Sequence, residues 1–411
     1  MTASLGSLLS DVLGHNLPVR ITAYDGTDLG PPDAEATIVL RSPDALRRVV
    51  TAPGELGLAR AYVAGDLDVE GDIHAALQLH ERLPDVRLGA RQLAAVARLV
   101  GMDTLRRLPP PAIEARLRGI RHSKERDAAA IAHHYDVSNR FYELVLGASM
   151  TYSCALFDGP SMTLDAAQAA KYDLICQKLR LEPGMRLLDV GCGWGSMLIH
   201  AARQYGVKAV GVTLSKRQAE FAAKRVAEAG VGDRVAVRLQ DYRDVDDGPF
   251  DAISSIGMFE HVGAAGLATY FGRLHDLLRP EGRLLNHGIV HPPSPRSRFA
   301  RRGFIDRYVF PDGELHDVGS VQTVMESSGL EVRHSENLRE HYALTLRCWG
   351  ENLERHWDEV VDEVGAARAR VWRLYMAASA RNFEKGNTGL QQVLGVRADR
   401  GRSGFALRPA Y

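Results

Sequence analysis

Between residue 165 and residue 290 the apolar positions switch repeatedly between two periods. Short buried-type runs read as five strands: RLLDV at Arg186–Val190, then VKAVGVTLS, RVAVRLQDYRDV, FDAISSIGMFEHV and GRLLNHGIV. Helical spacing appears between and around them, in 165–179 (DAAQAAKYDLICQKL), SMLIHAARQYG, 216–229 and LATYFGRLHDLLRPEG. This alternation predicts an α/β fold on a doubly wound parallel sheet with helices on both faces. Ligands of such sheets bind beyond the carboxyl ends of the strands. Those ends carry 189–195 (DVGCGWG), 213–215 (TLS), 240–242 (QDY), 257–261 (GMFEH) and 287–289 (HGI), so candidate chemistry converges on one crevice. Residues 317–349 read as returning strands to the sheet, and 350–383 as helices.

Residues 1–80 read as a smaller N-terminal α+β domain. VRITAYDG and EATIVLRS suit strands, SPDALRRVVTAP suits a short helix, and a further helix starts near Glu55. Asp66, Asp68, Glu70 and Asp72 then alternate with apolar residues, which reads as solvated turn chemistry ahead of metal binding. Residues 81–126 form a basic segment and linker, with eleven Arg/Lys against five acids. Within it 88–101 is an amphipathic helix with Leu93, Val96, Leu99 and Val100 on one side, and Pro109, Pro110 and Pro111 break the chain. Such a segment is either a surface helix with its linker or a basic surface for anionic lipid. Residues 127–411 form the catalytic domain. Its entrance groups His133, His134, Tyr135, Asp136, Asn139, Tyr142, Tyr152 and Cys154. The adjacent histidines face different sides of a helix with no partner four residues on, so no metal is expected.

Composition narrows the classes. The 411 residues carry 51 Lys+Arg and 51 Asp+Glu, which argues against a general nucleic-acid binder. Cys154, Cys176, Cys192 and Cys348 form no CxxC pair, which fits a reducing cytosol and neither a disulfide framework nor a zinc site. No stretch approaches the roughly 18 uninterrupted apolar residues of a membrane span, and the first residues lack the basic start of a secretion signal, so membrane contact would be peripheral. In 291–315, Arg296, Arg298, Arg301, Arg302 and Arg307 interleave with Phe299, Phe304, Tyr308 and Phe310. This reads as a solvated loop over buried rings or as a lid on phosphate headgroups and acyl chains.

The stretch 185–197, MRLLDVGCGWGSM, has strand, glycine turn and helix in the order that makes a nucleotide-binding crevice. Its spacing is G-x-G-x-G, with Asp189 two residues ahead of Gly191, so it is not the G-x-G-x-x-G of dinucleotide folds. The pattern resembles motif I of Rossmann-like class I S-adenosylmethionine methyltransferases. Together with HHYDVSNRFY, TYSCALF, VGVTLSKRQ, QDYRD, IGMFEHVG, NHGI and YVFPDGEL, the chain resembles the cyclopropane-fatty-acyl-phospholipid synthase family over roughly residues 50–411.

That resemblance implies S-adenosyl-L-methionine as donor, with S-adenosyl-L-homocysteine as product, and the cis double bond of a phospholipid acyl chain as acceptor. It implies cofactor contacts at Tyr152, Ser153, Asp189, Gly191, Gly193, Gly195, Thr213, Leu214, Gln218, Asp241, Tyr242 and Ile256. The second strand ends in GVTLS and lacks the usual ribose-binding acid, so the resemblance gives that role to Thr213 and Gln218. It implies a bicarbonate ion held at Cys154, Glu260, His287, Ile289 and Tyr342, with Cys154 binding and not attacking. Ser379 stands where the family has a further cysteine.

An isolated alkene is a weak nucleophile, so alignment supplies much of the acceleration. Attack leaves a carbocation that water would trap, so the pocket must be dry and a base must take a proton. Glu260 and Tyr135 would stabilise the cation electrostatically. Ring closure gives a cyclopropane. A hydride shift before proton loss gives a methylene chain, a precursor of a 10-methyl type branch once a reductase partner acts. Exposing about nine methylenes to water would cost about 7 kcal/mol, so the enzyme is expected to dock on the bilayer. The expectation is a cytoplasmic homodimer, peripheral at the inner face of the cell membrane. Two other readings remain: the same fold acting on a carrier-bound acyl chain or a small molecule, and a non-enzymatic lipid-binding protein.

Overall fold

Two hydrogen-bonded sheets organise the chain in the computed structural model, which describes residues 4–82, 94, 96, 99, 107–115, 123–135, 137–159, 161–293 and 303–408. Each sheet lies in its own compact unit. The first unit comprises Met1–Ala115, Ala300–Val309 and Val364–Arg381, and the second Arg116–Phe299, Phe310–Glu363 and Asn382–Tyr411. Boundaries drawn along the sequence are contiguous, whereas the first unit gathers two later segments.

In the first unit β1 (Arg20–Ala23), β2 (Asp28–Leu29), β3 (Ala36–Leu40) and β4 (Leu67–Gly71) lie in the order β2-β1-β3-β4. Helices Asp44–Thr51 and Glu55–Ala64 connect β3 to β4. Leu17, Val19, Ile21, Ala36 and Leu79 form one core cluster, and Leu5, Leu8, Leu40, Ala45 and Ala61 another. Of the four acids only Asp68 and Glu70 depart from the turn reading; Asp66 sits in the bend before the strand, and Asp72 follows it and accepts from the His74 amide at 2.8 Å. LDVEG is strand β4, antiparallel to β3, and the acids answer arginines. Asp66 accepts from Arg48 at 2.7 Å, and Asp68 lies 3.0 Å from Arg41 and 3.1 Å from Arg370. The period of two was present in the sequence, but the acids fill the positions where a half-exposed strand tolerates charge. Of the predicted helix 88–101, Ala94, Val96 and Leu99 are helical and the rest lies outside the described residues, as do Arg296, Arg298, Phe299, Arg301 and Arg302. Phe304 and Tyr308 do not face solvent. Both are buried, the Tyr308 hydroxyl donates to Glu114 at 3.0 Å, and Arg307 lies 3.5 Å from the same carboxylate.

The second unit holds β5 (Arg186–Val190), β6 (Lys208–Thr213), β7 (Val235–Leu239), β8 (Phe250–Ile256), β9 (Leu278–Val290), β10 (Glu331–Asn337) and β11 (Gly389–Val396). Their order is β10-β11-β9-β8-β5-β6-β7. The five strands read from the sequence are parallel, as expected. Residues 317–349 supply one strand, β10, flanked by helices Val318–Ser327 and Arg339–Arg355. The strand that covers the edge of β9 is β11, antiparallel to both β9 and β10. GLQQVLGV follows a long helix and the turn KGNT, and because all but one of its residues are buried it lacks the alternation of a half-exposed strand. No helix among the described residues is long and apolar enough to cross a membrane.

Close packing behind the glycine turn is testable. A Cβ at Gly211 on β6 would stand 2.4 Å from Leu198 Cδ1 and 2.8 Å from Cys192 Cβ. Gly211→Ala is expected to lower stability by about 1–3 kcal/mol. A lowered denaturant midpoint at unchanged m-value would report it.

Candidate active site

At β5 the chain order reverses, with β6 and β7 on one side and β8 and β9 on the other. A crevice is expected at the carboxyl ends of such a switch point. A cleft opens there with about 880 Å³ of space, part of it open to solvent.

The glycine turn forms one wall. Gly191 and Gly193 line the cleft with φ of 77° and 53°, values that favour glycine. Gly195 does not line it. A Cβ there would stand 3.2 Å from Ala222 Cβ, so this glycine serves the packing of helix Ser196–Tyr205 on helix Lys216–Glu228. Asp189 sits beside the turn, accepts from Ser254 Oγ at 2.7 Å, and burial pushes its carboxyl up to about 6. Tyr152, Ser153, Thr213, Leu214, Gln218, Tyr242 and Ile256 also line the cleft. Thr213 Oγ1 donates to Gln218 Oε1 at 2.8 Å, and Ser215 caps the helix that carries Gln218. The pair implied by GVTLSKRQ is therefore locked into one unit. Asp241 stands apart from the cleft lining. Its carboxylate accepts from Arg243 Nη2 at 2.6 Å and Nε at 2.9 Å, and against the upward push of burial that guanidinium holds it below the ordinary carboxylate range.

An aromatic group closes another wall. Tyr135 lines the cleft, 6.1 Å from the Tyr152 ring and 6.3 Å from Trp194. His134 stacks on Tyr152, and Phe310 lies 4.1 Å from His134. Sequence reasoning brought Trp194, Met258 and His261 to the crevice through the strand ends CGWG and GMFEH but gave them no role, and all three line the cleft. It passed over Lys171. This lysine is fully buried and donates to Ser153 Oγ at 2.8 Å, while Gln168 Nε2 donates to the Ser153 carbonyl at 2.9 Å. Burial pushes the Lys171 ammonium down to about 7, and the neighbouring Cys154 and Asp189 oppose that shift. Its signal was a lysine on the apolar face of helix Leu164–Leu179, a position usually filled by a hydrophobe.

The residues assigned to the ion lie deeper, and none of the five lines the cleft. Main-chain groups engage four of them, in two sets that the register of β9 and β11 brings side by side. Glu260 Oε1 accepts from the Ile289 amide at 2.7 Å. Ile289 pairs with Leu390, whose carbonyl accepts from Leu338 N at 2.9 Å. The Leu338 carbonyl in turn accepts from Tyr342 N at 3.1 Å and from the Cys154 thiol at 3.7 Å. His287 lies two residues before Ile289, with Nδ1 3.2 Å from Gln392 Nε2. Glu260 Oε2 and His287 Nε2 are buried with no hydrogen-bond partner among the described residues. Burial pushes the Glu260 carboxyl up to about 7, with the Ile289 amide pulling the other way. Burial also holds the His287 imidazole far below its usual value, aided by Lys171 and Lys178, and pushes the Cys154 thiol far up. At neutral pH the ring is uncharged and the thiol keeps its proton.

A switch-point cleft with this glycine turn defines a class I methyltransferase fold, one step short of a family. Residues 122–393 match the family model described as mycolic acid cyclopropane synthetase. A probable fatty acid methyltransferase of Mycobacterium tuberculosis is 51% identical over 404 residues, covering 95% of this chain and 94% of its own. The cyclopropane-fatty-acyl-phospholipid synthase of Escherichia coli is 34% identical over 368 residues, covering 88% of each. The crystal structure of a mycolic acid cyclopropane synthase complexed with SAH and CTAB superposes with a TM-score of 0.62 at 35% identity, covering 66% of this chain and 98% of that one. The chain belongs to the cyclopropane synthase family of S-adenosylmethionine-dependent fatty acid methyltransferases.

The raised Glu260 carboxyl gives a pH signature. Below about pH 4.5 folded and unfolded chains both hold the proton. Above that the unfolded chain releases it while the folded chain keeps it until about pH 7, so this group's contribution to stability falls as pH rises through that window. Glu260→Gln is expected to remove that part of the slope. Denaturant unfolding of both proteins at several pH values between about 4.5 and 7.5 checks it, and parallel stability curves would contradict it.

Proposed function

We propose that the protein uses S-adenosyl-L-methionine to methylate the cis double bond of an unsaturated phospholipid acyl chain, and that proton loss from the added methyl closes a cyclopropane ring. The observation that carries this reading is the buried pair of Glu260 and His287, each with an unpartnered polar atom, at the ends of strands that adjoin the cleft. A dry pocket with polar atoms held ready is what a cation and a departing proton require.

The donor fits the cleft. The side-chain-free turn at Gly191 and Gly193 lets backbone approach a ligand, Thr213 and Gln218 form a rigid polar pair, and Asp189, Tyr152, Ser153, Leu214, Tyr242 and Ile256 surround them. When bound, the sulfonium supplies an activated methyl group. Tyr135 and Tyr152 offer π faces beside the cleft, where a cation on the acyl chain would be stabilised. The rings of Trp194, His134 and Phe310 help exclude water.

Bicarbonate fits the deeper cluster. An oxyanion needs donors, and His287 Nε2 and the protonated Oε2 of Glu260 are both available. When bound, it supplies a small base. Tyr342 and Cys154 would complete its surroundings. The Ile289 amide contributes through Glu260, to which it donates. The Cys154 thiol acts as a wall, because burial keeps its proton on.

A second reading ends in a methylene chain after a hydride shift, with a reductase partner downstream. It is favoured by the relative at 51% identity, which is named a fatty acid methyltransferase and not a cyclopropane synthase. Both readings place the protein in the cytoplasm as a homodimer, docked at the inner face of the membrane.

Purified protein incubated with S-adenosyl-L-methionine and oleoyl phosphatidylglycerol vesicles is expected to add one carbon and two hydrogens to the oleoyl chain, with high-field ring protons by NMR. Vinylidene protons would establish the second reading. No mass gain, with the cofactor bound, would overturn the phospholipid assignment in favour of a carrier-bound or small-molecule acceptor.

A further inference from the structure

Behind the Glu260–His287 pair runs a line of polar groups that ends at a part-exposed carboxylate. His287 on β9 stands opposite Gln392 on β11 in the antiparallel register. Gln392 is fully buried, and its two amide ends meet different partners. Nε2 lies 3.2 Å from His287 Nδ1, and Oε1 accepts from Lys178 Nζ at 2.7 Å. The Lys178 side chain is 1% exposed, and its ammonium also meets Glu336, whose side chain is 37% exposed.

The chemistry of these groups leaves one arrangement. An ammonium has three donors and no lone pair, so the amide atom facing Lys178 is oxygen. The NH₂ end of Gln392 then faces the ring, and His287 Nδ1 must accept. A neutral imidazole that accepts at Nδ1 carries its one proton on Nε2. Nε2 is the buried ring atom with no partner among the described residues.

We propose that Lys178 and Gln392 are positioning residues that lock His287 as the neutral Nε2–H tautomer, so that its ring presents a donor, and not a lone pair, to an anion in the Glu260–His287 cluster. Two properties of the surroundings support the lock. Burial together with Lys171 and Lys178 keeps the ring neutral. Burial also draws the Lys178 ammonium down, while Glu336 holds the proton on it. The consequence for the reaction is specific. The one lone pair of His287 is spent on Gln392, so His287 takes no proton from substrate, and that task falls to the anion. This inference rests on the reading of the cluster as an anion site.

The test is a long-range ¹H–¹⁵N correlation on full-length protein with labelled histidine, the His287 signals assigned by their loss in His287→Gln. The wild type is expected to show a bare Nδ1 and a protonated Nε2. Bicarbonate titrated in should perturb the Nε2–H signal. In Gln392→Glu the carboxylate accepts from both Lys178 and the ring, so the proton is expected to move to Nδ1. Bicarbonate binding should weaken about 10- to 100-fold, with S-adenosyl-L-methionine affinity unchanged. A wild-type Nδ1–H ring, or a Gln392→Glu ring that keeps Nε2–H, overturns the lock. A moved proton with unchanged bicarbonate affinity overturns the donor role. Lys178→Met frees the amide to rotate and is expected to mix the two tautomers, so a pure Nε2–H ring in that variant removes Lys178 from the proposal. The expected tautomer with no response to bicarbonate overturns the anion reading of the cluster instead. None of these signals depends on the acyl substrate, so failure of the vesicle assay is a separate result.

Discussion

A polar group taken out of water must be paired or must change its charge. That constraint governs the carboxyl ends of β5, β8 and β9. Asp189 is paired with Ser254 and raised to about 6. Lys171 is paired with Ser153 and lowered to about 7. Glu260 spends one oxygen on the Ile289 amide and keeps its proton to about pH 7. Acids driven up and bases driven down together lower the ionisation of a site dense in titratable side chains. Such a place can admit a hydrocarbon chain, which a cluster of fully ionised groups would repel through its bound water.

Much of this was legible in the sequence, because period and motif report on local demands. The strands from Arg186–Val190 to β9 were readable as short apolar runs, and the turn at Gly191 and Gly193 from its spacing. Tyr152, Thr213, Gln218, Tyr242 and Ile256 were reached through family resemblance, and all five line the cleft. Two neighbours of those residues show where a motif stops informing. Gly195 belongs to the same G-x-G-x-G run as Gly193, yet it faces Ala222. Asp241 is adjacent to Tyr242, yet Arg243 claims its carboxylate. Adjacency in a motif does not fix which way a residue faces.

Other features were illegible for physical reasons. Two of the five residues of strand β4 are acids, and Asp68 is answered by Arg41 and by Arg370, the latter distant in sequence. Strand β11 is defined by the edge of β9 that it covers. Lys171, Lys178, Gln168 and Gln392 read as ordinary helix or strand polar residues until the sheet closes around them. Their interest lies in burial, which the periodic pattern signals only for Lys171, on the apolar face of its helix. The deeper cluster is likewise assembled from distant segments, with the Ile289 amide on Glu260 and both Tyr342 N and the Cys154 thiol on the Leu338 carbonyl.

The antiparallel strand β11 has a consequence for how the protein is made. A ribosome delivers β5 to β10 long before Gly389–Val396, and domains begin to fold as they emerge. Until that strand arrives the edge of β9 is bare and His287 lacks Gln392. The nascent chain can thus build its cofactor crevice early, while the histidine of the deeper cluster stays unset. Among the strands of this sheet, the one translated after all the others is thus the one that partners His287.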